Sequence, residues 1–191
     1  MPQPDHVMAY AAPAEATLDQ DLKDYFAKCR EKIGLVPNVV QAYAARPEKL
    51  RAFIQMYGDL MLSKDSGLSK LEREMIAVVV SSVNRCYYCL VAHGQAVREL
   101  SGDPQLGEML VMNYRVAPLP ARQRAMLDFA WKLTEAPYLV DEADRAQLRA
   151  AGFSEADAFD IACVVGFFNM SNRVASAVDM MPNAEYHAKS R

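Results

Sequence analysis

The segment Cys86-Tyr87-Tyr88-Cys89 places two thiols three residues apart, and His93 follows four residues after Cys89. On a helix, steps of three and four bring side chains to one face. A free thiol, with a pKa of ~8.5, is only a few per cent ionised at neutral pH. A helix N-terminus and a neighbouring imidazole both push it toward the thiolate. The segment therefore offers a nucleophile, a resolving thiol and a base on one short helix, which is the equipment for redox chemistry at sulfur. His93 stands one turn beyond Cys89 but ~10 Å of helical rise beyond Cys86. This spacing favours Cys89 as the attacking thiol, whereas the helix dipole alone would favour Cys86, nearer the helix start. Glu74 is the candidate to orient or charge the imidazole. Along a straight helix it would lie ~18 Å before Cys86. It can act only if the chain turns near Ser82 to Asn84, or if helices of another subunit intervene.

Rival readings of these residues are weaker. Structural zinc requires four ligands at tetrahedral spacing, and Cys29, Cys163, His6 and His187 form no second pair. A pair of inert buried thiols would not need His93 at helical spacing. A thioredoxin-type site would need a βαβ pattern, and none surrounds the cysteines. Cys29 and Cys163 lie among apolar residues and read as buried thiols. His6 and His187 read as incidental. Asp141-Glu142 and the acidic residues from Glu155 to Asp160 sit in first helical turns, where the dipole favours them. No Gly-rich phosphate loop and no cofactor motif is present, so no cofactor is expected.

The elements that must position the site are helical nearly throughout. Leu18, Leu22, Tyr25, Phe26, Cys29 and Ile33 form one amphipathic stripe, with Thr17 as the expected N-cap and Gly34 as the stop. Gly34-Leu35-Val36-Pro37-Asn38 reads as a connector, followed by a short helix to Ala45. Pro47 opens a helix carrying Leu50, Phe53, Ile54, Tyr57, Leu60 and Met61. Ser69 and Glu72 form a capping box ahead of a very apolar helix to about Ser82, where Ser81, Ser82 and Asn84 offer a break and a new N-cap just ahead of Cys86. The next helix is expected from about Arg85 to Leu100. Pro118 and Pro120 frame another start, and Asp141 caps a helix that stops at Gly152. Ser154 and Asp157 form a second capping box, opening a long helix to about Met180 that Pro182 ends. The fold class is all-α. One domain spans 1–191, with a core at 16–180 and polar tails at 1–15 and 182–191.

The two capped helices point to an internal repeat. Laying Ser69 over Ser154 without a gap puts Glu72 on Asp157, Ala77 on Ala162, Val79-Val80 on Val164-Val165 and Asn84 on Asn169. The chemistry is not repeated. Glu74 falls on Phe159, Cys86 on Ser171, Cys89 on Val174 and His93 on Val178.

Composition excludes several functions. The 191 residues are 52% hydrophobic and 24% charged, the balance of a folded globular chain. A net charge of −3 leaves no basic face for nucleic acid. The longest apolar runs, Met75 to Val80 and Ile161 to Phe168, fall far short of a membrane span. Met1 to Ala16 lacks a positive segment and an apolar segment, so no secretory signal is read there and a cytoplasmic location is expected. In that compartment paired thiols usually mean redox or metal chemistry.

Glu74, eleven residues, Cys86-x-x-Cys89, three residues, then His93, on an all-α background, resembles the alkylhydroperoxidase D family of the wider carboxymuconolactone decarboxylase superfamily. Gly34-Leu-Val-Pro-Asn38 and the stretch from Leu119-Pro120 to Phe129-Ala130 are similar to its peroxidase-related branch. The resemblance covers most of Thr17 to Met180. It implies an AhpD-like helical bundle and a thiol-dependent peroxidase. In that scheme Cys89 attacks the hydroperoxide, Cys86 resolves, His93 is the base and Glu74 its relay partner. It also implies a lipoyl-type or thioredoxin-like dithiol reductant and a homo-oligomer. In the family a second His precedes the attacking Cys. Here that position is Tyr88, an auxiliary candidate. A redox sensor or thiol-disulfide oxidoreductase, and a decarboxylase-type lyase, are the alternative functions.

Overall fold

The computed structural model describes residues 3–191 and contains no strand among them. Its helices are α1 (Gln20–Ile33), α2 (Asn38–Tyr43), α3 (Pro47–Leu62), α4 (Lys70–Asn84), α5 (Tyr87–Ser101), α6 (Pro104–Asn113), α7 (Ala121–Glu135), α8 (Glu142–Ala150) and α9 (Glu155–Ala177). Short 3-10 turns join or flank them.

Helix α4 is the axis of the bundle, and α5, α6, α7 and α9 pack around it. Every residue from Glu72 to Ser81 is buried. Val78-Val79-Val80 would by local preference weaken a helix, at ~0.5 kcal/mol per residue relative to Ala. Complete burial of each side chain returns ~1.5 kcal/mol or more, so tertiary packing decides for helix. Ser69 accepts from the Glu72 amide, and the Glu72 carboxylate accepts from the Ser69 amide, closing the capping box that starts α4. Ser154 and Asp157 do the same for α9.

The two boxes are joined by one side chain. Arg122 donates to Glu72 Oε1 at 3.2 Å and to the carbonyls of Gly67 and Gly152, while its guanidinium lies 3.6 Å from the Phe153 ring centroid. Gly67 is fixed by proximity, because a Cβ there would stand 2.1 Å from Asp157 Oδ1. Farther along, Asn84 donates to its repeat partner Asn169 at 3.1 Å. The two capped helices are thus bridged by Arg122 at one end and touch through the equivalent residues Asn84 and Asn169 at the other.

Four boundaries differ from the sequence expectation. Asp19, not Thr17, precedes α1, because Thr17 is taken into a 3-10 turn and bonds back to Ala14. The break expected near Ser82 falls at Arg85, since Ser81 and Ser82 turn their hydroxyls onto backbone carbonyls and stay helical. Cys86 rather than Asn84 is then the N-cap of α5. Helix α9 ends at Ala177, before Pro182 acts.

The segments read as tails are packed. Ala9 donates to the Val178 carbonyl and Met181 to the Val7 carbonyl, and Met8 is buried. At the other end Arg98, itself buried, donates to the carbonyls of Tyr186 and Lys189 at 2.9 and 3.0 Å. His6 contacts Asp179, and His187 contacts Gln3. Residues 1 and 2 of the N-terminal segment lie outside the described residues.

Candidate active site

The site depends on how α4 ends. Arg85 adopts a left-handed conformation, φ 53° and ψ 37°, and its amide bonds back into the last turn of α4. For a residue with a side chain this conformation is disfavoured by roughly 1 kcal/mol or more. It reverses the chain, so α5 returns along α4 instead of prolonging it. The apparent ~18 Å between Glu74 and the cysteines is thereby removed, within one chain and without a second subunit. His93 Nδ1 meets Glu74 Oε2 at 2.6 Å. Both side chains are nearly buried, at 13% and 11% exposure. Phe168 meets the imidazole edge-on, with centroids 4.6 Å apart. A carboxylate only accepts, so Nδ1 carries the proton and Nε2 is left as the free acceptor when the ring is neutral.

Cys86 and Cys89 are free thiols, each 1% exposed. The neighbouring Cys89 thiol is the largest influence on Cys86 and, with the Cys89 amide, Ser176 and the charge of His93, brings its thiol down to about 7 against the effect of burial. The neighbouring Cys86, with burial, holds Cys89 above its ordinary value, while Asn172 and Ser81 act in the opposite sense. The two thiols therefore titrate as a pair, with Cys86 the more acidic member.

Asn172 organises the floor behind them. It accepts from Asn84 at 2.9 Å and donates to Ser81 at 3.0 Å, and it is 1% exposed. These bonds escaped the sequence reading, in which Ser81 and Asn84 marked a helix break and Asn84 a repeat position. The available signal was the polar run Asn169, Ser171, Asn172 inside an otherwise apolar helix.

A cavity of about 620 Å³ opens onto this cluster. Cys89, His93, Glu74 and Tyr88 line it, and Cys86 does not. Its walls carry a cluster of aromatic rings, Phe53, Tyr57, Phe167 and Phe168 among them. Burial raises the Tyr57 phenol well above its ordinary value and that of Tyr186 to about 12, so both stay neutral. Tyr88 does not fill the place of a second base. Burial raises its phenol too, and its oxygen accepts from the Val39 amide at 3.1 Å, which ties α2 to α5. Cys29 is buried as expected but also reaches this cavity, with burial raising its thiol. Cys163 is only half-buried. No cluster of His, Cys, Asp and Glu that could hold a metal occurs among the described residues. No helix described is long and apolar enough to cross a membrane.

The carboxymuconolactone decarboxylase family model matches residues 47–127, from the start of α3 into α7. The crystal structure of an uncharacterized peroxidase-related protein from Silicibacter sp. TM1040 is 64% identical over 100% of both chains, with a TM-score of 0.95. A second, described as an alkylhydroperoxidase AhpD core and an uncharacterized peroxidase-related protein from Ralstonia eutropha JMP134, is 43% identical over 98% of each chain, also at 0.95. A cysteine-to-alanine variant of the debrominase Bmp8, crystallised in complex with 2,3,4-tribromopyrrole, is 19% identical over 97% of this chain and 96% of its own, at a TM-score of 0.78. That likeness is one of fold. No curated protein matches the chain. With identity of this extent running from end to end, the chain belongs to the AhpD-like, peroxidase-related members of the carboxymuconolactone decarboxylase superfamily.

Proposed function

We propose that the protein is a thiol-dependent peroxidase that reduces organic hydroperoxides at Cys89 and recovers through a Cys86–Cys89 disulfide. The observation that carries this reading is the position of Cys89. It alone of the pair lines the cavity, beside the His93–Glu74 pair. The Cys89 sulfur attacks the terminal oxygen of the hydroperoxide, the O–O bond breaks, and Cys89 becomes a sulfenic acid. The thiol proton passes to the Cys86 thiolate or to His93 Nε2, and a proton is returned to the leaving alkoxide, which departs as an alcohol. Cys86 then condenses with the sulfenic acid, releasing water and forming the disulfide. An external dithiol of lipoyl or thioredoxin type restores both thiols by exchange and is itself oxidised.

Cys86 is the more acidic sulfur, which by itself would make it the nucleophile of a protein-disulfide oxidoreductase. Its burial away from the cavity argues that it works instead as proton acceptor and resolving thiol. Cys86→Ser separates the two readings. Under the peroxidase reading it still reacts once with cumene hydroperoxide and traps a sulfenic acid at Cys89, found by mass spectrometry after dimedone labelling. A sulfenic acid on Cys86 in Cys89→Ser, with none on Cys89 in Cys86→Ser, would reverse the roles.

The protein is also read as a homo-oligomer. Phe159, Gly166 and Met170 lie on one outer face of α9 and are exposed, Phe159 to 70%. Sedimentation at micromolar concentration tests this, and a monomer would count against it.

A further inference from the structure

The mouth of the cavity has a different character from its walls. Lys28 and Lys32 stand one turn apart on α1, and Lys189 comes from the C-terminal segment; all three line the cavity. Lys189 Nζ donates to the Ile33 carbonyl at 3.2 Å, which sets it beside the end of α1. None of the three forms an ion pair among the described residues. Besides the inner Glu74, the one carboxylate on the lining is Glu99, which already accepts from Gln95 at 2.6 Å. A protein of net charge −3 thus gathers three unpaired ammonium groups at the opening of an aromatic cavity. Arg98 makes the arrangement firm, because its bonds to the Tyr186 and Lys189 carbonyls hold the segment that supplies one wall and one of the cations.

We propose that this cavity selects carboxylate-bearing amphiphiles, so that the preferred substrate is a fatty acid hydroperoxide whose carboxylate rests among Lys28, Lys32 and Lys189 while its chain lies along Phe53, Tyr57, Phe167 and Phe168. The proposal rests on the peroxidase reading for the reacting group, but not for binding. A cavity of about 620 Å³ falls within the range that encloses ligands of this size. Cations at an exposed rim contribute modestly each and are weakened by salt, so three together should act as a selector more than as the source of affinity. The apolar body supplies the latter.

The test uses the full-length reduced protein and titration calorimetry with two non-reacting probes, decanoate and decanol, at low ionic strength. Decanoate is expected to bind at least tenfold more tightly. That ratio should fall toward one in the triple variant Lys28→Gln, Lys32→Gln, Lys189→Gln and be retained in the corresponding triple Arg variant, which also shows that the fold survives substitution. In turnover, the preference for linoleic acid hydroperoxide over cumene hydroperoxide should drop about tenfold in the Gln variant, through KM. Equal binding of decanoate and decanol by the unsubstituted protein would overturn the proposal. So would a Gln variant whose only defect is slower recovery by the dithiol reductant, since the lysines would then dock an acidic reductant. A decanoate preference without any hydroperoxide consumption would leave the cavity's selectivity standing and remove the peroxidase reading instead.

Discussion

Helices α4 and α9 begin alike and end differently. Both start at a Ser capping box, both carry an apolar run, and both reach an Asn at the same offset, where Asn84 and Asn169 touch. At the next residue α4 is broken by Arg85 in the left-handed region, whereas α9 continues through Met170 to Ala177. The break folds α5 back and brings His93 onto Glu74. The unbroken copy puts Phe159 in the place of Glu74, exposed on the outer face. The second helix carries none of the candidate reactive groups and supports the first. Asn172 and Ser176 favour ionisation of the two thiols, and Phe168 meets the imidazole edge-on. One conformational choice at one residue therefore separates a site from its support.

The largest effects should come from making the first copy resemble the second. Cys89→Val, the residue of the repeat, is expected to abolish hydroperoxide reduction to background while leaving the helical circular dichroism intact. His93→Ala removes the proposed base and should lower kcat/KM by about 10²–10⁴ at neutral pH, the range for positioned acid–base groups. Its loss should be smaller at high pH, where the thiols ionise unaided. Glu74→Gln keeps the shape but can present its amide NH₂ to Nδ1 and favour the wrong tautomer. A loss of about tenfold or more is expected, and unchanged activity would remove Glu74 from the scheme.

Most of the fold was legible because its signals are local. The capping boxes, Pro47 at a helix start and Gly34 at a helix end each act through their own backbone. The residues of the candidate site were legible because redox chemistry at sulfur would need those types at those spacings. What escaped depends on non-local packing. Ser81 and Ser82 read as breakers only until α6 and the α4 backbone are there to accept their hydroxyls. The tail at 182–191 reads as polar and loose until buried Arg98 is found waiting for its carbonyls. Cys29 sits on a core stripe whether or not a cavity opens beside it, so one helix alone does not reveal its second exposure.

The cost of the scaffold's service should appear as stability. Asn172 is buried, accepts from Asn84 and donates to Ser81. Asn172→Ala leaves both partners short of a bond, which should destabilise the protein by about 2–3 kcal/mol in denaturant unfolding. It should also reduce the peroxide reactivity of Cys89, whose ionisation Asn172 favours.

The pH dependence of stability is expected to isolate the thiol pair. Cys86 titrates at about 7 in the folded protein against ~8.5 unfolded. A depressed folded value contributes stability that is present above the unfolded pKa and lost as pH falls through the folded one. Reduced protein should therefore gain up to about 2 kcal/mol between pH 7 and 8.5, and Cys86→Ser should not. Cys89, held in the opposite direction, acts only above that window. Thiolate absorbance at 240 nm should rise with a midpoint near 7 in the same protein. A first midpoint near the free-thiol value would show that Cys89 does not acidify Cys86.

The smallest effect sharpens the comparison most directly. Arg85 is exposed, and no hydrogen bond from its side chain occurs among the described residues, so its substitution tests the backbone alone. Glycine adopts the left-handed region without steric penalty but loses more freedom on folding. The two terms differ by several tenths of a kcal/mol in favour of glycine, so Arg85→Gly should stabilise the protein by about 0.5–1 kcal/mol. At the equivalent position of α9 the sign reverses. Met170 lies within a continuous helix, where glycine is unfavourable by about 1 kcal/mol relative to a good helix former. Met170→Gly should therefore destabilise by at least that amount, with the lost thioether contact to the Tyr43 hydroxyl adding to it. Chemical denaturation of the two variants reads both signs. If Arg85→Gly were neutral or destabilising, the turn would be held by the Arg side chain and not by backbone conformation, and the difference between the two copies would lie in that residue's contacts.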